Sequence, residues 1–339
     1  MQDSLKISPA PHISKHHSTT TVMLDVIIGL APAMIAAGVF FHMHAALLIG
    51  TCVVSCMVSE WLCNLVRKKP NSLGDLSAIV TGIILAFSVP PQLPLWASVI
   101  GSCFAIVIGK MVFGGLGSNT FNPAMVGRCF LALCFGQMMG TWTVPATVDS
   151  DMPYLGDSQT VSAVTEATPL ALSKEAIKAK GAELAKAIEV NEIFENMMLG
   201  STAGCLGETS ALALIIGGVY MLVRGTISYV IPTAVIVSAF ICASIGWVID
   251  PQAYITPWAH LAGGGLLIGA FFIATDPVTA PLTKKGMWIF GFGVGAFTML
   301  IRMVGEYPEG VMFAVILMNS LTPLIDRFTK LTPVGSTKN

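Results

Sequence analysis

Apolar residues run in long blocks along most of this chain, separated by short polar or glycine- and proline-rich breaks. A bilayer-spanning helix takes about 20 apolar residues, so the pattern predicts about ten spanning helices. They fall near 22–41, 45–65, 73–89, 95–113, 122–140, 208–223, 228–249, 261–275, 286–303 and 310–326. The third, fifth and eighth are short or rich in Gly, Pro and polar residues, which marks them as broken. One polar island, 141–207, interrupts the series. It separates a first membrane half, 22–140, from a second, 208–326, with polar ends at 1–21 and 327–339. The expected fold class is all-α: a polytopic integral membrane protein.

Composition agrees. The chain is 54% hydrophobic and 11% charged, against about 25% charged in soluble domains. A mean hydropathy of +0.76 and 33 glycines suit lipid-facing helices that pack through small residues. A net charge of −1 leaves no basic patch for nucleic acid. The first twenty residues, with Ser8-Pro9-Ala10-Pro11-His12, lack the apolar core of a leader peptide. No two of the eight cysteines form Cys-x-x-Cys. Cys52 and Cys56 share a helix face but read as packing residues, so no metal site is assigned. His42-Met43-His44 reads as a surface pair in a short loop.

Charge placement sets an expected orientation. Lys6, Lys15, Arg67, Lys68, Lys69, Lys110, Arg128, Arg224, Lys284, Lys285, Arg327, Lys330 and Lys338 fall on the side of the N-terminus. Among short loops, only Arg302 falls opposite. The positive-inside rule then puts both termini in the cytoplasm and the island outside. Within the island, Ser173 caps a predicted surface helix running to Val190. Pro169 keeps Thr168 extended, in the hydroxyl-bearing stretch Val164–Leu170.

Gly74-Asp75-Leu76-Ser77-Ala78 and Gly207-Glu208-Thr209-Ser210-Ala211 echo each other, each opening a span. Asn122-Pro123-Ala124 and Asp276-Pro277-Val278 follow downstream as broken segments. Three spans separate the echoes. An odd number reverses topology, as in inverted repeats with a midplane site; a chance match is the other reading.

Two segments carry polar groups at membrane depth. In Phe113–Met125, Gly114, Gly115, Gly117 and Pro123 break the helix while Asn119 and Asn122 offer amides. This is either a ligand cavity or a re-entrant turn. In Phe272–Pro281, Asp276 either ligates a cation or caps the segment ahead of Pro277. Asp25, Asp75, Glu208 and Asp326 sit at span edges, as caps or as footholds for a cation. A solute channel of the ammonium or urea type fits the same broken-helix pattern.

Gly114–Met125, Ala274–Pro281, Tyr307-Pro308-Glu309-Gly310-Val311 and Pro323-Leu324-Ile325-Asp326 together resemble the NqrB/RnfD family of membrane flavoproteins. The short N-terminal segment fits its Rnf-complex branch better than the longer quinone-reductase branch. The resemblance implies an FMN esterified through its phosphate to a threonine of a Ser/Thr-Gly-Ala-Thr-type motif by a separate flavin transferase. Here the motif maps onto Thr165-Glu166-Ala167-Thr168, making Thr168 the acceptor. Glu166 replaces the usual small residue, and Ser162 stands where an Asp is common. The resemblance further implies a second, non-covalent riboflavin, for which Asn119, Asn122 and Asp276 are the candidates. Asp75, Asp276 and Asp326 are the candidates for cation handling. The implied setting is a complex with other flavin-bearing and iron–sulfur subunits, moving electrons between ferredoxin and NAD⁺ coupled to Na⁺ or H⁺ transport.

Overall fold

The computed structural model describes residues 18–140, 142, 170, 197–198, 204–208, 210–251, 254–305, 307 and 309–330. Thr165, Glu166, Ala167 and Thr168, and the surface helix expected from Ser173 to Val190, lie outside the described residues. Among those described, every regular element is helical.

The first element, α1 (Thr19–Val66), starts where Ser18 accepts the Thr21 N–H. His42 has non-helical torsions (φ 49°, ψ −130°), dividing α1 into the first two expected spans. The histidine pair thus belongs to a helix break. After it come α2 (Ser77–Phe87), α3 (Leu95–Ile106) with a π turn at Val107–Met111, and α4 (Pro123–Cys134). The second half holds α5 (Ala211–Arg224), α6 (Val230–Ile249), α7 (Pro257–Ala262) and α8 (Leu266–Ile268), which runs into a π turn at Gly269–Ile273. It closes with α9 (Lys284–Met303) and α10 (Val311–Phe328). Helices α1, α6, α9 and α10 are long and apolar enough to cross a membrane; α2, α4 and α5 are shorter apolar helices, as is Leu95–Met111. The expected breaks are present: α2 has 11 residues, α4 has 12, and the eighth expected span is divided between α7 and α8 at Gly263–Gly265.

Small residues let the helices touch. A Cβ on Gly217 of α5 would overlap the Gly29 carbonyl of α1, and one on Gly295 of α9 would overlap Ser238 of α6. Such contacts replace the hydrophobic effect as the source of helix association in lipid.

The echoed Gly74 and Gly207 motifs are both 3₁₀ turns, Leu73–Asp75 and Leu206–Glu208. A second correspondence, five spans apart, organises the bundle. Before α2 Leu76 is left-handed (φ 63°), and before α8 so is Gly264 (φ 69°). Downstream, Ser88-Val89-Pro90 with Pro94-Leu95 matches Thr275-Asp276-Pro277 with Pro281-Leu282. The two segments run antiparallel. Val89 O, at the end of α2, accepts Leu206 N at 3.3 Å, beside the start of α8. Ser77, at the start of α2, shares a cleft with Thr275 and Asp276, beyond the end of α8. Asn122 and Asp276, paired by the sequence echo, do different work: one caps a helix, the other a turn.

Candidate functional site

Broken helices leave polar groups at both ends of the bundle. The end holding Ser18 and Lys330 is called the terminal end; the opposite end, joined to the 141–207 segment, is the loop end.

At the terminal end a cleft opens between α1, α2, the start of α4 and the segment after α8. Ser77, Lys110, Asn119, Asn122, Thr275 and Asp276 line it together with apolar side chains. The structure therefore brings together Asn119, Asn122 and Asp276. Its cavity volume is about 60 Å³. In this conformation it admits the edge of a ring rather than a whole large ligand.

The chemistry of each lining group follows from its partners. Asn122 is the N-cap of α4: Oδ1 accepts the N–H groups of Ala124 (3.1 Å) and Met125 (3.4 Å), with Pro123 at the first helical position. Its Nδ2 donates across to Ile273 O at 3.4 Å, tying α4 to the end of the π turn. Asn119 donates to Phe121 O at 3.1 Å, and its buried Oδ1 has no partner among the described residues. Half-buried Asp276 accepts Val278 N and the Thr279 hydroxyl, both at 3.2 Å, closing a turn.

Beside the cleft lies a network that hydropathy does not expose. Lys110, a loop charge by position along the chain, is 1% exposed and pairs with the fully buried Glu60 at 2.7 Å. The π turn around Lys110 adds a residue to the helical turn and aims the side chain inward. Lys110 Nζ also donates to Ser77 Oγ at 2.6 Å, while Ser77 donates to Asp75. Ser72 donates to Glu60 and accepts Asn64 Nδ2 at 2.8 Å. Asp326 accepts Leu282 N at 3.1 Å. The three candidate cation acids therefore lie at the terminal end, each already accepting a backbone N–H. Asp25 is buried and accepts the hydroxyls of Tyr220 (3.2 Å) and Thr226 (2.8 Å), with Arg224 alongside.

At the loop end, Arg128 of α4 pairs with Glu309, just before α10. Loop counting puts Arg128 and Arg302 on opposite sides. Instead both are buried at this end: Gly265 is adjacent to Arg128 and Glu208, while Arg302 donates to Gly263 O. Cys205 Sγ donates to Ser88 O at 3.3 Å and lies 3.7 Å from Glu309 Oε1. One donor atom each from Cys205, Glu208 and Glu309 lies within 4.8 Å of the others. Arg128 already neutralises Glu309, so a divalent cation here would first have to break that pair. Reading the sequence alone passes over Glu60, Cys205, His260 and Glu309 as chemistry. The available signal is ionisable residues within or beside apolar runs, which are costly in lipid unless paired.

Broken helices, apolar spans and paired interior charges define an integral membrane protein built of helices. Its family is equally plain: residues 6–335 match the sequence profile of the NQR2, RnfD, RnfE family, and the chain belongs to it. It is 41% identical to the D-type subunit of the Na⁺-translocating ferredoxin:NAD⁺ oxidoreductase complex of Acetobacterium woodii, covering 99% of this chain and 96% of that one. It is 39% identical to the D-type subunit of the proton-translocating ferredoxin:NAD⁺ oxidoreductase complex of Clostridium ljungdahlii, over 97% and 96%. A third relative, the D-type subunit of the ion-translocating oxidoreductase complex of Cronobacter sakazakii, is 36% identical over 96% and 97%.

Proposed function

We propose that this chain is the D-type membrane subunit of an Rnf-like complex. That complex couples electron transfer between ferredoxin and NAD⁺ to ion movement. The observation that carries the reading is 41% identity across nearly the whole length of a subunit so named. The chain is one relay in a translocase, catalytic only with its flavin-bearing and iron–sulfur partner subunits. It sits in the bacterial inner membrane with both termini cytoplasmic and the 141–207 loop outside.

The relay is an FMN esterified to Thr168 by a flavin transferase. Flavin supplies the means of passing electrons singly between one- and two-electron partners. Leu170, two positions after Thr168, is buried beside Gly264 at the loop end, so the chain leading from the acceptor is anchored on the bundle. A second, non-covalent riboflavin enters the terminal-end cleft. The donor set fits its polar edge: Asn119 Oδ1 is a buried acceptor lacking a donor among the described residues, and ring N–H groups are donors. Asn122 holds one wall by joining α4 to Ile273, and the Lys110–Ser77 bond fixes the other. Full seating requires the cleft to widen beyond its present volume.

Asp75, Asp276 and Asp326 handle the cation at the terminal end. The relatives named for Na⁺ and for protons differ by only two points of identity to this chain, 41% against 39%. Ion choice therefore needs direct measurement of pumping by the complex in sealed vesicles, with and without Na⁺. There, Asp276→Asn lowers the ions moved per electron; an unchanged ratio removes that residue from the path.

The flavin reading has a simple test. The full chain, made with the transferase present, is run on a denaturing gel under ultraviolet light. A fluorescent band is expected in the wild type and none in Thr168→Ala; a dark wild-type band overturns the reading.

A further inference from the structure

At the terminal end a groove runs between the last turns of α1 and the π turn that follows α3. Leu62, Cys63 and Val66 form one wall, and Val107, Met111 and Val112 form the other. Its cavity volume is about 460 Å³, within the usual range for small-molecule sites. Leu62, Val66 and Val112 are exposed, as are Leu65, Ile108 and Phe113 around them. Because α1 is long and apolar enough to cross a membrane, this exposed apolar surface faces acyl chains rather than water.

A single charged side chain lines the groove. Arg67 is exposed, and its Nη1 donates to Met111 O at 2.7 Å, which lays the guanidinium across from α1 to the π turn. Lys68 and Lys69 follow it and are exposed too; among the described residues none of the three stands in an ion pair. Glu60, two turns earlier on α1, is fully buried and already paired with Lys110. In this corner four cations, Arg67, Lys68, Lys69 and Lys110, stand against two acids, Glu60 and Asp75, so it stays positive. The partial negative charge at the C-terminus of α1, about half a unit, does not cancel that excess. Exposed Trp61 precedes Arg67 by six residues, about 9 Å along the helix at 1.5 Å per residue. Tryptophan favours the headgroup boundary, which sets Arg67 at the level of lipid phosphates.

We propose that this groove holds one anionic phospholipid, its phosphate on Arg67 and an acyl chain laid along Val66, Val107 and Val112. The bond to Met111 O fixes the guanidinium and uses one of its five N–H donors, leaving others for phosphate oxygens. Lys68 and Lys69 select a headgroup with net negative charge over a zwitterionic one, by about fivefold per cation near a membrane surface. The apolar walls take the chain, so head and tail are recognised by different parts of one site. Bound there, the lipid ties the end of α1 to the turn that carries Lys110. A helix of a partner subunit could fill the same walls, but only by bringing an acid of its own to Arg67.

The test places the full chain, with the subunits that co-purify with it, in vesicles of phosphatidylcholine and phosphatidylglycerol. One lipid or the other carries a photoreactive diazirine on its acyl chain, at equal mole fraction. After irradiation, peptide mass spectrometry reads where the label lands. Labelled phosphatidylglycerol is expected on 62–66 and 107–112, at least about fivefold above labelled phosphatidylcholine, a comparison that needs no variant to fold. Arg67→Gln lowers that preference about fivefold and leaves the phosphatidylcholine label unchanged. Val112→Trp keeps every charge but fills the groove, and it removes the label from both segments. Equal labelling by the two lipids, or a preference that survives Arg67→Gln, reduces the site to ordinary bilayer contact and overturns the proposal. Label undiminished in Val112→Trp puts the acyl chain elsewhere and overturns it. Label absent from both segments in the wild type means that protein fills the groove, which overturns it as well.

Discussion

The terminal and loop ends are built from the same parts: a broken helix, buried cations and buried carboxylates. They differ in how fully those parts satisfy one another. At the terminal end, Glu60, Lys110, Ser77, Asp75, Ser72 and Asn64 form an unbroken chain of hydrogen bonds. Asn119 Oδ1 is the cleft-lining atom left unpaired among the described residues. At the loop end, within the same set, Arg128 Nε, Arg302 Nε, Glu208 Oε1 and both nitrogens of His260 are unpaired. Buried polar groups in folded proteins are nearly always paired, so a concentration of exceptions marks a place where something else binds. One end is a finished brace beside a cleft. The other holds more buried polar atoms without a partner among the described residues.

Single substitutions separate the two. The largest effect is expected at the brace, where both partners are at most 1% exposed. Lys110→Met or Glu60→Gln alone leaves an unpaired buried group and lowers stability by about 3–5 kcal/mol. Replacing both by apolar residues recovers most of that loss. Thermal unfolding of the detergent-solubilised chain reads the difference; equal midpoints for single and double variants would remove the brace. Arg128→Gln comes next, at about 3 kcal/mol, the lower end of the same range, because side chains 7% and 9% exposed keep some access to water. A larger loss than at Lys110 would reverse the ranking of the two ends.

Asn122→Ala removes a helix cap and costs about 1 kcal/mol. Asn122→Asp keeps the cap acceptor but loses the Nδ2 bond to Ile273, so comparing it with the wild type isolates the strap across the cleft. Least disruptive is Asn119→Leu, which deletes an unpaired acceptor along with the Nδ2 bond to Phe121 O and changes stability by about 1 kcal/mol or less. Its signature is functional: flavin extracted by acid from the purified complex falls, while the covalent band on the gel stays. Unchanged extractable flavin would place the second cofactor elsewhere.

How much of this is legible in the sequence depends on the range of the interaction. Asn122 ahead of Pro123 is legible because a cap and its helix are adjacent along the chain. The short third, fifth and eighth spans are legible for the same reason: Gly and Pro act on their own backbone. Arg128 is put on the wrong side by a loop count, and Lys110 on the right side but as a loop charge, because the count sees a charge near a span end and not its partner. Those partners lie 50 residues away for Lys110 and 181 for Arg128. The five-span correspondence between α2 and α8 is hidden because apolar residues substitute freely for each other in lipid-facing helices. What persists is the turn chemistry at the ends, Ser88-Val89-Pro90 and Thr275-Asp276-Pro277.

The amino-acid sequence by itself determined that this is a helical membrane protein, where its helices break, and which family it resembles. Those features follow from local hydropathy, backbone restriction and short motifs, none of which needs a distant contact. Only the tertiary structure decided which buried charges are paired. It gathered Asn119, Asn122 and Asp276 into one cleft and left Arg302 beside Leu170, bonded among the described residues to carbonyls alone. Charge pairing in a low-dielectric interior depends on distances of a few ångströms between residues far apart in the chain, and folding alone sets those distances.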